Sequence, residues 1–161
     1  LYGNIDLIDF DLETMTETFD FGKITGKLEG KVQNLRLANW QPVAFDAYIR
    51  TPKNDKTRHR ISQQAINSLS ELGGGASGLL SRSALRFFDD FSYQRLGLSC
   101  RLINEVCEMT GVEEIEQGYY IVKGGGLPPR INVKGFTRRV DWPVLVERLK
   151  AVSSSAGAVI E

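Results

Sequence analysis

Two sets of residues in this chain have spacing that could do chemistry. Gly73, Gly75 and Gly78 stand in LGGGASG at the G-x-G-x-x-G interval that cradles a dinucleotide pyrophosphate. Cys100 and Cys107 stand in LSCRLINEVCEM, where oxidation would join them. The glycine motif works only where a strand enters the loop and a helix leaves it. Here ISQQAINSLSEL enters, with Ile61, Ala65, Ile66, Leu69 and Leu72 at three- and four-residue intervals. That period predicts a helix over 61–72, with Gly73 as a left-handed C-cap rather than a phosphate cradle.

The remaining polar groups offer little more. Asp89 and Asp90 are adjacent and cannot share a helix face, so they read as surface or turn residues, not an acid–base pair. Gly124, Gly125 and Gly126 lead into Leu127, Pro128 and Pro129 without the Lys and Ser or Thr of a nucleotide loop, and so mark a connection. His59 is the single histidine, which leaves no Ser-His-Asp or Cys-His set and, with two cysteines, no zinc pattern. No enzymatic activity, metal or cofactor is expected.

For the cysteines two readings stand. Asn104 and Glu105 suit a hairpin turn; if Leu102 faces Cys107 across it, Cys100 lies one diagonal step away on the same face, within bridging reach. A disulfide implies an oxidising compartment, whereas two reduced thiols would simply pack as small hydrophobes.

The elements that must position these groups follow from periodicity. Ile8, Phe10 and Leu12, then Phe19, Phe21, Ile24, Leu28 and Val32, then Val43, Phe45, Ala47 and Ile49 alternate with polar residues, the pattern of strands with one apolar face. Gly22, Gly26 and Gly30 suggest bends that curve the sheet. LLSRSALRFFDDF predicts a second helix through Leu80, Ala84, Leu85 and Phe88. Strands return in SYQRLGLSCRL, VCEM, GYYIVKG and RINVKGF. VDWPVLVERLK predicts a short closing helix, with Asp141 as N-cap and Pro143 in its first turn. The expected fold is α+β: an antiparallel, curved β-sheet forming a groove end, with two central helices and a short C-terminal helix. Residues 1–152 should form a single domain and 153–161 a flexible tail.

Charge and hydropathy exclude further classes. Twenty basic and twenty acidic residues cancel, so no global field draws in nucleic acid or anionic membrane. The local run Lys53, Lys56, Arg58, His59 and Arg60 reads as a solvated loop leading into a helix. No stretch approaches the roughly 20 apolar residues of a membrane helix. LYGNIDLIDF opens straight into strand-like residues without a Met, as expected of a piece of a longer protein.

LGLSCRLINEVCEM, GYYIVKGGGLPPRINVKG and RRVDWPVLVERL, preceded by RISQQAINSLSELGGGASG, resemble the C-terminal region of the YdbH family of Gram-negative envelope proteins, within the AsmA-like group that includes TamB and YhdP. The resemblance covers about residues 45 to 150 and is looser before that. It implies a periplasmic module of a protein anchored in the inner membrane elsewhere in its length. Its curved sheet would carry phospholipid acyl chains between membranes, and its partner would be a small outer-membrane lipoprotein like YnbE, joined by strand addition. An older label for the region, dicarboxylate transport, would want convergent arginines. Arg138 and Arg139 are adjacent on a predicted strand and point to opposite faces. An alternating sheet needs no catalytic group to hold lipid, since each methylene kept from water contributes about 0.8 kcal/mol. The expected groove-lining candidates are Phe19, Phe21, Leu28, Val32, Phe45 and Ile49, with ordinary core burial as the competing role for each. In the alternative reading, the region is a protein-docking cap that does not itself touch lipid.

Overall fold

A computed structural model describes residues 1–75, 87–126 and 131–159, with side chains to residue 151. The elements in chain order are β1 (Tyr2–Asp11), α1 (Leu12–Thr18), β2 (Lys27–Ala38), β3 (Gln41–Arg50), β4 (Arg60–Ser62), α2 (Gln63–Leu72) and β5 (Asp90–Ile103). They continue with β6 (Val106–Gly111), β7 (Glu113–Ile115), β8 (Gly118–Gly124), β9 (Val133–Gly135), β10 (Arg139–Asp141) and α3 (Trp142–Val159). The fold is α+β, with an open antiparallel sheet in the order β1-β2-β3-β5-β6-β10. The fourteen residues of β5 belong to two half-sheets. Gly97–Leu102 pair with β3, whereas Asp90–Ser92 pair with β4 and Tyr93–Leu96 with β8, which also pairs with β7 and β9.

Several sequence expectations hold closely. Asn104 and Glu105 close the β5–β6 hairpin with φ of 51° and 63°, the left-handed pair a two-residue turn requires. GYYIVKG and NVKG pair antiparallel as β8 and β9. The apolar stripe of α2 is buried at Ala65, Ile66, Leu69 and Leu72 against Phe91, Tyr119, Ile121 and Val133. Tyr119 is fully buried, donates to the Thr137 carbonyl at 2.8 Å, and burial pushes its phenol up to about 12.

Others are corrected. The helix begins at Gln63 rather than Ile61, because Ser62 caps it by accepting from the Ala65 N–H at 3.2 Å. Ile61 is core, but on β4 opposite Phe91. The left-handed residue at the C-terminus is Gly74 (φ 83°), not Gly73. Its N–H reaches the Glu71 carbonyl at 3.1 Å and that of Gly75 reaches Ser70 at 2.8 Å, the double bond of a Schellman ending. Gly73 instead gives its carbonyl to the N–H groups of Phe136 and Thr137, tying α2 to the segment after β9. Gly78, the second central helix over 80–88 except its end, and the prolines at 128 and 129 lie outside the described residues.

Leu12 is not a strand residue: it opens α1, is 3% exposed, and its N–H is held by the Gly26 carbonyl at 3.0 Å. The alternation misleads here because β1 bulges. Leu7 faces Gly30 and Phe10 faces Leu28, so Ile8 and Asp9 together oppose Glu29, and Asp9 takes φ 52°. Ile8 is thereby turned out to 75% exposure.

Gly74→Ala should destabilise by about 1–3 kcal/mol, since its Cβ would meet Thr137 Oγ1 in a left-handed backbone. Gly3→Ala, whose Cβ meets nothing, should stay within about 0.5 kcal/mol of the parent. Urea denaturation of the two variants measures both.

Candidate functional site

The register of β1, β2, β3, β5, β6 and β10 separates the sheet into two chemically distinct faces. Residues directly opposite across strands share a face. One row reads Ile5, Val32, Ala47, Cys100 and Met109; the next reads Phe45, Leu102, Cys107 and Val140; a third reads Leu7, Gly30, Ile49 and Leu98. All are apolar. The intervening row Asp46, Arg101, Glu108, Arg139 lies on the other face and alternates in sign from strand to strand. The first face is apolar and the second is charged and solvated.

The apolar face is not uniformly covered. Met109 is 1% exposed, Leu102 1% and Cys107 0%, and Met109 and Cys107 share one core with Tyr119 of β8 and Leu145 of α3. Trp142 opens α3 and sets its ring edge-on against Phe45, with centroids 5.4 Å apart. Along the first row, exposure among the described residues rises toward β1. Ala47 and Val32 are half-buried and Ile5 is 46% exposed.

The predicted lining residues therefore have unlike surroundings. Val32 lies on the open part of the face, and Phe45 at the border where Trp142 meets it. Leu28 is 1% exposed within the core, and Ile49 packs against that core. Phe21 packs on the core from the turn after α1, and Phe19, at the C-cap of α1, is 60% exposed and off the sheet. Ile5 and Leu7 are not among the expected lining residues. Their alternation with Asp6 is visible, but in sequence they are out of phase with Phe10, and only the bulge at Asp9 puts all three on one face.

Cys100 and Cys107 form a disulfide, with Cα atoms 5.5 Å apart. The pairing of Leu102 with Cys107 makes the bridge diagonal on the apolar face. It clamps the hairpin that carries the covered half of the face.

The basic run does not form one surface. Lys53, Lys56 and Arg58 are exposed, but His59 turns in to stack on Tyr93 at 4.8 Å, and Arg60 on β4 binds Asp90 through Nε at 2.9 Å. Asp55 organises this loop. Its carboxylate meets His59 Nε2 at 2.9 Å, accepts from the Thr57 N–H and hydroxyl, and accepts from the Lys27 N–H at 3.1 Å. Burial pushes the carboxyl up, but the bonds from His59, Thr57 and Lys27 outweigh it and hold the group well below the usual carboxylate range. The clasp fastens the loop between β3 and β4 to the start of β2.

A cleft beside this loop is lined by Arg50, Lys53, Asp55 and Arg95. Arg50 is already bound to Glu29 at 2.9 Å and Arg95 to Glu113 at 3.2 Å. Arg138 is likewise engaged, by Glu114 at 2.6 Å and the Gly118 carbonyl at 2.9 Å. None of these guanidiniums is left to converge on a dicarboxylate. Among the described residues, no three His, Cys, Asp or Glu groups gather to hold a metal, and no helix is long and apolar enough to cross a membrane. Comparison of the chain with protein-family models, curated proteins and solved structures finds no match.

Asp55→Asn should destabilise by about 2–4 kcal/mol at neutral pH. The folded carboxyl lies below its unfolded value of about 3.9, so its stabilisation is fully present above that pH and is lost as pH falls through the folded value. The stability gap between parent and variant, followed by thermal melts, should accordingly narrow below about pH 4. Reduction of the disulfide should remove about 2–3 kcal/mol, read from urea midpoints with and without reductant.

Proposed function

We propose that this chain is the capped end of an apolar β-trough that holds phospholipid acyl chains, a module of an intermembrane lipid-transport protein of the Gram-negative envelope. One observation carries the reading. Along the row Ile5, Val32, Ala47, Cys100, Met109, a single apolar surface passes from 46% exposed at one end to 1% at the other. Among the described residues the apolar face continues along this row across β3 and β2 to β1, where it is half-buried and then exposed, further than a core alone requires. An acyl chain lying over β1, β2 and β3 would keep its methylenes from water at about 0.8 kcal/mol each, and no catalytic group is required. The charged reverse face keeps the trough one-sided. The disulfide fits an oxidising periplasm, and the resemblance to the YdbH family points the same way.

A second reading has its own support. β1 is ten residues long, and β2 is its only sheet partner among the described residues. Tyr2, Ile8 and Phe10 on it are exposed. Such an edge accepts another strand, as a small outer-membrane lipoprotein of the YnbE kind would supply. The added strand would extend the trough rather than compete with it.

Photo-crosslinking in cells tests both. A probe at Val32 should give phospholipid adducts and one at Asp46, on the reverse face, should give none. A probe at Ile8 should trap a small protein if strand addition occurs. Protein adducts alone at Val32 would make the module a docking cap that does not contact lipid.

A further inference from the structure

The β2–β3 hairpin closes through Asn39 and Trp40, between the paired Ala38 and Gln41. Both turn residues take left-handed backbone, with φ of 53° and 61°. Asn tolerates that conformation and glycine is the usual second residue, because a Cβ there crowds the backbone. The sister turn Asn104–Glu105 also places a side chain at this position, but a charged one that water solvates. Trp40 has no such excuse: it is 82% exposed, with no ring contact or hydrogen bond among the described residues. Packing gains nothing from it, and the backbone is strained to present it. Such an outlier points to a role outside the fold.

The surroundings say what kind of role. Tyr2 is 69% exposed and Val43 41%, on strand segments flanking the same end of the sheet, where Tyr2 faces Arg36 and Arg36 faces Ala44. Residues 1–5 and 34–44 contain no acidic residue and one base, Arg36, in a chain that is 25% charged. The exposed carboxylates of that end, Glu105 and Asp141, lie beyond β3. A projecting indole at the same end of the sheet as a tyrosine and an arginine matches the interfacial zone of a phospholipid bilayer. There amphipathic rings sit at headgroup level and a lone cation meets phosphate. A convex two-residue tip needs no shape-matched pocket to enter such a surface.

We infer that the β2–β3 tip is a membrane-surface anchor in which Trp40 inserts at the headgroup level, with Tyr2 and Val43 beside it and Arg36 toward phosphate. The anchor does not depend on the trough. It orients the module on a bilayer whether or not lipid occupies the sheet.

The chain has two tryptophans, so Trp142→Phe leaves Trp40 as the only tryptophan, excited selectively at the red edge of the absorption band. On adding vesicles of phosphatidylethanolamine and phosphatidylglycerol, its emission should shift to the blue and become shielded from iodide. Should that variant fail to fold, the difference between parent and Trp40→Gly spectra gives the same readout. Trp40→Gly should keep or raise the melting temperature, since glycine suits the turn, while vesicle co-sedimentation falls by about tenfold. Unchanged emission at saturating lipid, equal sedimentation of Trp40→Gly, or a lowered melting temperature in that variant would each overturn the anchor. Emission that shifts with a protein partner but not with vesicles would overturn it too, assigning the tip to a protein contact.

Discussion

The architecture depends on β5 serving two half-sheets at once. Its first residues lie against β4 and β8, its last against β3 and β6, and the join is tight. A Cβ at Gly97 would come within 3.0 Å of the Ile49 carbonyl and 2.8 Å of Val112 Cγ1. A register shift between Tyr93 and Arg95 changes the phase of the strand. Phe91 and Tyr93 are buried before it, and Leu96 after it, with Leu98 and Cys100 packed against the same cluster, so both halves feed one core. Without that slip, one half of the strand would turn its apolar side to water.

From this strand outward, the two ends of the sheet diverge. On the β6–β10 side the apolar face is buried in one core with Tyr119 of β8 and Leu145 of α3, and the Cys100–Cys107 bridge holds the hairpin there. On the β1–β3 side the same face is left half-buried at Ala47 and Val32 and exposed at Ile5 among the described residues. The loop after β3 is fixed by the Asp55 carboxylate, which joins His59, Thr57 and Lys27, so the open side is carried by a braced strand. In the trough reading, the rigid half is the stopper and the bare half holds the chains.

Much of this was legible in the residues. Strict alternation in PVAFDAYI and LGLSCRL identified β3 and the end of β5, and Asn104–Glu105 set a register that placed the cysteines on one face. What failed was phase. Asp9 and Asn34 adopt φ of 52° and 54° at register shifts in β1 and β2, and each shift moves later side chains to the other face. Asp and Asn tolerate left-handed backbone, but they are too common in ordinary loops to announce a bulge. α1 was missed because seven residues with two apolar side chains leave almost no helical stripe. The lining set mixed core and trough, as Leu28 and Val32 show, because alternation assigns a face but not what covers it. For Phe45 the cover comes from Trp142, almost a hundred residues away in sequence.

The central claim is that acyl chains lie on the apolar face over β1, β2 and β3. The most direct measurement is methyl NMR of the protein with a phospholipid spin-labelled within its acyl chain. The account predicts paramagnetic broadening at the methyls of Ile5, Val32 and Ala47, with Met109 and Val140 left sharp in the buried core. Broadening spread evenly over the surface, or absent from those three residues, would contradict it.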